Sequence, residues 1–205
     1  MQIFSAILFV LSASTDNFVV GLCYGIKKIK INLPINLLIA LISSIGTILS
    51  MELGNIIATF VPNNFTNILG GSILILIGLW AMLSEFNENK KSSKAAEKNS
   101  LSNIEDILSN PENADKDTSG SIDLKESFSL SIALALNNMG LGIGASIAGL
   151  NIILTTILTF FISIITISLG LTVGNKYLSQ KLGKYAAVIS GIIIILLGIY
   201  EMLAK

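Results

Sequence analysis

Ser14-Thr-Asp16-Asn17-Phe-Val-Val-Gly21 and Ala135-Leu-Asn137-Asn138-Met-Gly-Leu-Gly142 are the two stretches on which the reading of this chain turns. Each places a polar pair in the middle of a long apolar segment and follows it with glycines. A carboxylate at the centre of a hydrocarbon layer costs at least about 2.5–3.5 kcal/mol, so an Asp in such a place is functional by default. Around these stretches lie six apolar segments that read as spans of the ~30 Å hydrocarbon layer: Ile3–Tyr24, Leu33–Val61, Ile68–Leu83, Phe128–Leu150, Ile152–Val173 and Ala186–Leu203. The first segment lacks a basic start and a cleavage pattern and carries Asp16 inside it, so it reads as a span and not as a signal peptide.

The two stretches belong to a longer correspondence. Gly71, Gly78, Trp80, Met82 and Leu83 of the third segment line up with Gly191, Gly198, Tyr200, Met202 and Leu203 of the sixth. Three spans per repeat is an odd number, so the second copy enters the membrane upside down. Inverted repeats are a recurrent architecture of secondary transporters, with the site near the midplane where the copies meet. The expected fold is therefore an all-α membrane protein of six transmembrane helices. Two inverted three-helix repeats, residues 1–84 and 126–205, are joined by a hydrophilic linker, 85–125.

Composition agrees. Hydrophobic residues make up 52% of the 205 and charged residues only 13%, with 13 lysines against 13 acids and no arginine or histidine. The mean hydropathy is +0.78. Such a chain is too poor in charge to cover the surface of a soluble enzyme. With zero net charge it has no free basic face for nucleic acid. One cysteine and no histidine exclude a disulfide framework, a His/Cys metal site and a His-based catalytic triad. Lys27, Lys28 and Lys30 follow the first span, and Lys176, Lys181 and Lys184 follow the fifth, while the 2–3 and 4–5 connections carry none. By the positive-inside rule both termini lie outside and the linker, with six lysines, lies in the cytoplasm of a bacterial cell.

Asp16, with Asn137 and Asn138 from the other copy, is the expected ion pathway. Asn17 and Glu52 are further candidates. Carboxylate, amide and backbone oxygens are hard ligands that suit Mg²⁺, Ca²⁺ or Mn²⁺. Gly21, Gly25, Gly140, Gly142 and Gly144 are expected to let helices approach closely. A second reading of the same residues is that Asp16 bonds the asparagines and only holds the helices together.

The linker ends in Asp115-Lys-Asp117-Thr-Ser119-Gly120-Ser121-Ile122-Asp123-Leu-Lys-Glu126, which fits a twelve-residue calcium-binding loop of the EF-hand type. Asp115, Asp117 and Ser119 fall at positions 1, 3 and 5, with Gly120 at the sharp turn. Ser121 offers its carbonyl, and Asp123 and Glu126 fall at positions 9 and 12. Ca²⁺ or Mn²⁺ is the expected ion, and no other cofactor is required. The loop is single, so Ile122 is expected to have no paired loop. Upstream, Ser102-Asn-Ile-Glu105 reads as a capping box opening a short amphipathic turn.

At these residues the chain resembles the putative manganese efflux pump family (MntP), and most closely its branch of sporulation membrane proteins, YtaF. The resemblance rests on the helix-1 stretch through Tyr24-Gly25-Ile-Lys-Lys28, on Asn137-Asn138-Met-Gly-Leu-Gly142-Ile-Gly144, and on the acidic linker. It implies residence in the lipid membrane, two inverted halves and export of a divalent cation, with no enzymatic activity. Where the manganese pumps carry an Asp in the helix-4 motif, this chain has Asn137. A non-transporting sporulation protein and an exporter of a small solute such as an amino acid are the alternatives.

Overall fold

Proline, capping groups and glycine set where the helices begin and end. The computed structural model describes residues 2–62, 68–77 and 111–176, with single positions at 66, 79, 107, 192, 195, 196, 199 and 203. Helices α1 (Gln2–Ala13) and α2 (Thr15–Lys27) are nearly continuous, interrupted only at Ser14, where ψ is 4°. The left-handed Lys28 (φ 59°) ends α2. Helix α3 (Leu33–Thr59) starts with Pro34 in its first turn, where a missing N–H costs nothing. Helix α4 (Ile68–Ile77) follows. The 3₁₀ turn Pro111–Ala114 leads to α5 (Leu124–Ile147), and a tight turn at Gly149 (φ 90°) connects to α6 (Ile152–Lys176).

Among the described residues, four helical segments are long and apolar enough to cross a membrane: Ile3–Lys27, Leu33–Thr59, Leu124–Ile147 and Ile152–Asn175. One expected boundary moves. The fourth span begins at Leu124 instead of Phe128, because Asp123 and Glu126 form a reciprocal capping box that starts the helix in the loop. The sixth expected span, Ala186–Leu203, the end of the third and the Ser102–Glu105 box lie outside the described residues, save for single positions in the sixth and third. Exposed Ile153, Ile157, Phe161, Ile165 and Leu169 recur every fourth residue of α6, an apolar stripe of the kind that faces lipid.

The helices pack as two parallel pairs. On α2, a Cβ at Gly21 would strike the Ile167 carbonyl, and one at Gly25 would lie 2.9 Å from Gly174 Cα. From the other side, Gly170 and Gly174 of α6 meet the backbone of Phe18 and Leu22. The numbers rise together, so α2 and α6 are parallel and touch backbone to backbone. Helices α3 and α5 form the second pair, with Gly46 against Ala135, Gly142 against Ser50, and Gly54 against Ile143 and Ser146. Across the pairs the direction reverses: Asn36 of α3 meets Ile164 and Ser168 of α6, while Ser43 to Ser50 lie beside Thr159.

Two apolar clusters close the ends of this bundle. Toward the end carrying Lys27 and Lys28, Val20, Tyr24, Ile39, Leu130, Leu134 and Ile167 pack together. At the opposite end the cluster is Phe9, Val10, Met51, Leu74, Leu141 and Ala145. Asp16, Asn17, Asn137 and Asn138 fall between the clusters on their helices.

Of the five glycines expected to serve packing, Gly21, Gly25, Gly142 and Gly144 are buried at such contacts. Gly140 is different. It is exposed, and among the described residues a Cβ there would meet only Ile77 Cδ1, at 3.4 Å. Gly21→Ala or Gly170→Ala should cost about 1–3 kcal/mol through overpacking against rigid backbone. The melting point in detergent should fall by about 2–10 °C at this chain length, whereas Gly140→Ala should melt as the parent does.

Candidate functional site

Asp16 lies in the first turn of α2, just past the interruption at Ser14. Its Oδ2 accepts a hydrogen bond from Asn137 Nδ2 of α5 at 2.5 Å. The two polar pairs singled out in the sequence thus meet across 121 residues of chain. Asn17 is turned away from Asp16 into the bundle, 3% exposed, where its Nδ2 donates to Ser163 Oγ at 2.8 Å. Its Oδ1 is buried without a hydrogen-bond partner among the described residues.

Asn17 and Asn138 line a cavity of about 20 Å³, which neither Asp16 nor Asn137 lines. Helices α1 and α2 contribute Phe9, Ser14 and Asn17, α3 contributes Ser43, Thr47 and Ser50, α5 contributes Asn138 and Gly142, and α6 contributes Thr159. A single water needs at least about 10–15 Å³, so there is room for one small guest. Glu52 does not line this cavity. It is exposed on α3, while its neighbour Met51 is fully buried; one residue is 100° of helix, which turns Glu52 away. The serines and threonines of α3 were not singled out in the sequence, although Ser43, Thr47 and Ser50 recur at i, i+4 and i+7 on one face.

The linker loop forms a second constellation. Oxygens of Asp115, Asp117 and Glu126 lie within 4.8 Å of one another. Asp115 and Glu126 are buried, and Asp117 is exposed. The Asp115 carboxylate accepts from the backbone N–H groups of Ser119 and Gly120, both at 3.0 Å. Glu126 accepts from Lys116 N at 2.7 Å and Asp123 N at 3.1 Å, one bond per oxygen. Each oxygen keeps a further lone pair for a cation. Gly120 adopts φ 75°, as a turn at that position needs. Asp123 plays another part: it caps α5 by accepting from Glu126 N at 2.8 Å, and it stands outside the converging three. Ser119 Oγ lies 2.9 Å from the Ser121 carbonyl, and its one proton is shared between that oxygen and the Asp117 carboxylate.

Ile122 has a backbone partner outside any second calcium loop. Lys30, in the connection between α2 and α3, donates to Gly120 O at 2.9 Å and accepts from Ile122 N at 3.1 Å. Tyr24 Oη donates to the Pro111 carbonyl at 2.8 Å, and the Ile122 side chain packs in the same cluster as Tyr24 and Ile29. A single loop thus borrows from the neighbouring connection the strand contact that a paired loop would give.

With this geometry in view, comparison with known proteins is informative. A family model described as "Putative manganese efflux pump" matches residues 1–82 and 103–202. The probable sporulation protein YtaF of Bacillus subtilis (strain 168) is 33% identical over 210 residues, covering 98% of this chain and 100% of that protein. No solved structure matches.

Hydrogen bonds from Ser119, its side chain first and then its backbone N–H, hold the Asp117 carboxyl below the ordinary carboxylate range. A lowered folded pKa contributes order to the loop above the ordinary value of about 3.9, and that contribution is lost as pH falls through the lowered value. A carboxyl ¹³C titration should therefore place the Asp117 transition below that of a free Asp, and Ser119→Ala should move it upward.

Proposed function

The chain belongs to the putative manganese efflux pump family, a family of multi-pass membrane proteins, and on that premise we propose that it exports Mn²⁺ or a related divalent cation. The observation carrying the proposal is the pairing of half-buried Asp16 with exposed Asn137, at a level of their helices that falls between the two apolar clusters. A carboxylate inside a spanning segment is costly and marks an ion pathway. Asp16 is the charged ligand, Asn137 and Asn138 are neutral oxygen ligands, and Asn17 supports the layer from the far side. With Asn137 in place of a second acid, one carboxylate meets a divalent ion, which favours weaker binding and easier release.

The helix pairing supports two inverted three-helix halves. Exchanging α2 with α5 and α3 with α6 turns the parallel pair α2–α6 into the parallel pair α5–α3, and the two pairs run in opposite directions. Both termini then lie outside, with Lys27, Lys28, Lys30 and the 85–125 linker in the cytoplasm, as the lysine distribution favours.

We also infer that the 115–126 loop binds a hard divalent cation, Ca²⁺ or Mn²⁺, through Asp115, Asp117 and Glu126, with Ser119 and the Ser121 carbonyl completing the set. Because Glu126 is the third residue of α5 and the loop is bonded to Lys30, such an ion ties the cytoplasmic ends of α2, α3 and α5 together.

Two measurements decide these readings. Cells lacking the protein should accumulate manganese, and Asp16→Asn should lower export by at least about tenfold, since loss of even an outer partner of a metal ligand costs 10–100-fold in affinity. Full complementation by Asp16→Asn would make the Asp16–Asn137 bond a helix lock, the role a non-transporting sporulation protein would need. Separately, Ca²⁺ or Mn²⁺ should raise the melting point of the full chain saturably, and Glu126→Gln should abolish that rise.

A further inference from the structure

The cavity between the helix pairs has a feature that manganese export does not require: among the described residues, its polar lining is neutral and offers more acceptor lone pairs than uncommitted donors, which are the hydroxyls of Ser14 and Ser43 and the Asn138 amide. Asn17 gives its N–H to Ser163 Oγ at 2.8 Å and keeps an unpartnered, buried Oδ1. Thr47 Oγ1 donates to the Ser43 carbonyl at 3.0 Å, Ser50 Oγ to the Thr47 carbonyl at 3.0 Å, and Thr159 Oγ1 to the Thr155 carbonyl at 2.9 Å. Their protons are committed to their own helices, so each presents only lone pairs. Ser43 Oγ is buried with no hydrogen-bond partner. Asn138 adds an amide from α5.

An acceptor-rich enclosure with room for one small sphere has a limited set of guests. A water can donate two protons and accept from Ser43 or the Asn138 amide, which leaves the lone pairs of the remaining hydroxyl oxygens unfilled. A cation satisfies all of them. Divalent sites bring carboxylates to share the charge, and no carboxylate lines this cavity among the described residues. We propose that it is a binding site for one dehydrated monovalent cation of Na⁺ size, contacted by Asn17 Oδ1, Ser43 Oγ and the hydroxyls of Thr47, Ser50 and Thr159. Asn17 follows Asp16 in the chain, so an ion here is positioned to repel a divalent cation from that carboxylate. That relation suits a coupling ion moving opposite to the cargo.

The test uses the purified full chain in detergent, melted over a range of NaCl with choline chloride holding ionic strength constant. Na⁺ should raise the melting point saturably, K⁺ should do so less, and Ser43→Ala and Asn17→Ala should each raise the half-saturating Na⁺ concentration at least tenfold. Ser43 Oγ has no protein hydrogen bond to lose, so Ser43→Ala should melt like the parent in choline alone. Equal shifts with choline, or a Na⁺ response unmoved by both variants, would mean a bound water only and would overturn the site. Manganese accumulation reads separately: export without any Na⁺ response sinks this inference alone, and a Na⁺ response without export sinks the export reading alone.

Discussion

Backbone-to-backbone contact between helices is the constraint on which the other features depend. Gly21 and Gly25 against Gly170 and Gly174, and Gly46, Gly54 and Gly142 against their partners, bring the axes so close that a single Cβ would collide with main chain or a short side chain. In lipid there is no hydrophobic force between helices, so close packing and interhelical hydrogen bonds must hold them. Asp16 reaches across to Asn137 of α5, which is not the helix that α2 meets backbone to backbone. The close approach within the pairs keeps the central cavity to the size of a single small guest.

From that packing follows a layered bundle. Apolar clusters occupy the two ends, and polar groups that would be costly alone pair with one another, between the clusters for Asp16 and Asn17 and at the level of the first cluster for Asn36. Asp16 with Asn137, Asn17 with Ser163, and Asn36 with Ser168 all join helices distant in sequence. These bonds are individually modest, averaging about 0.6 kcal/mol in comparable measurements. Their stronger effect is orientational, since each fixes the rotation of one helix against another and so decides which hydroxyls face the cavity.

The linker loop is integrated into this arrangement. Its backbone bonds to Lys30, its preceding turn accepts from Tyr24, and its last acid sits in the first turn of α5. Three of the packed helices thus meet at one small cluster of carboxylates. A change in the charge or order of that cluster is felt at helix ends about three turns from the Asp16–Asn137 bond, counting 3.6 residues per turn from Glu126 to Asn137.

Periodicity and local chemistry made much of this legible in one dimension. Apolar runs of spanning length marked the helices, the acid inside the first run marked Asp16, and the spacing of Asp115, Asp117, Gly120 and Glu126 marked the loop. Such signals are carried by residues within a few turns of one another. Tertiary structure alone decided that Asp123 caps a helix, that Glu52 turns outward, that Gly140 is free of tight contact among the described residues, and that Ile122 finds a backbone partner at Lys30. It also decided that Ser43, Thr47, Ser50 and Thr159 share an enclosure with Asn17. Those outcomes depend on the rotation and approach of helices joined by long stretches of chain, and a short window of sequence records the face a residue occupies but not the neighbour brought against it.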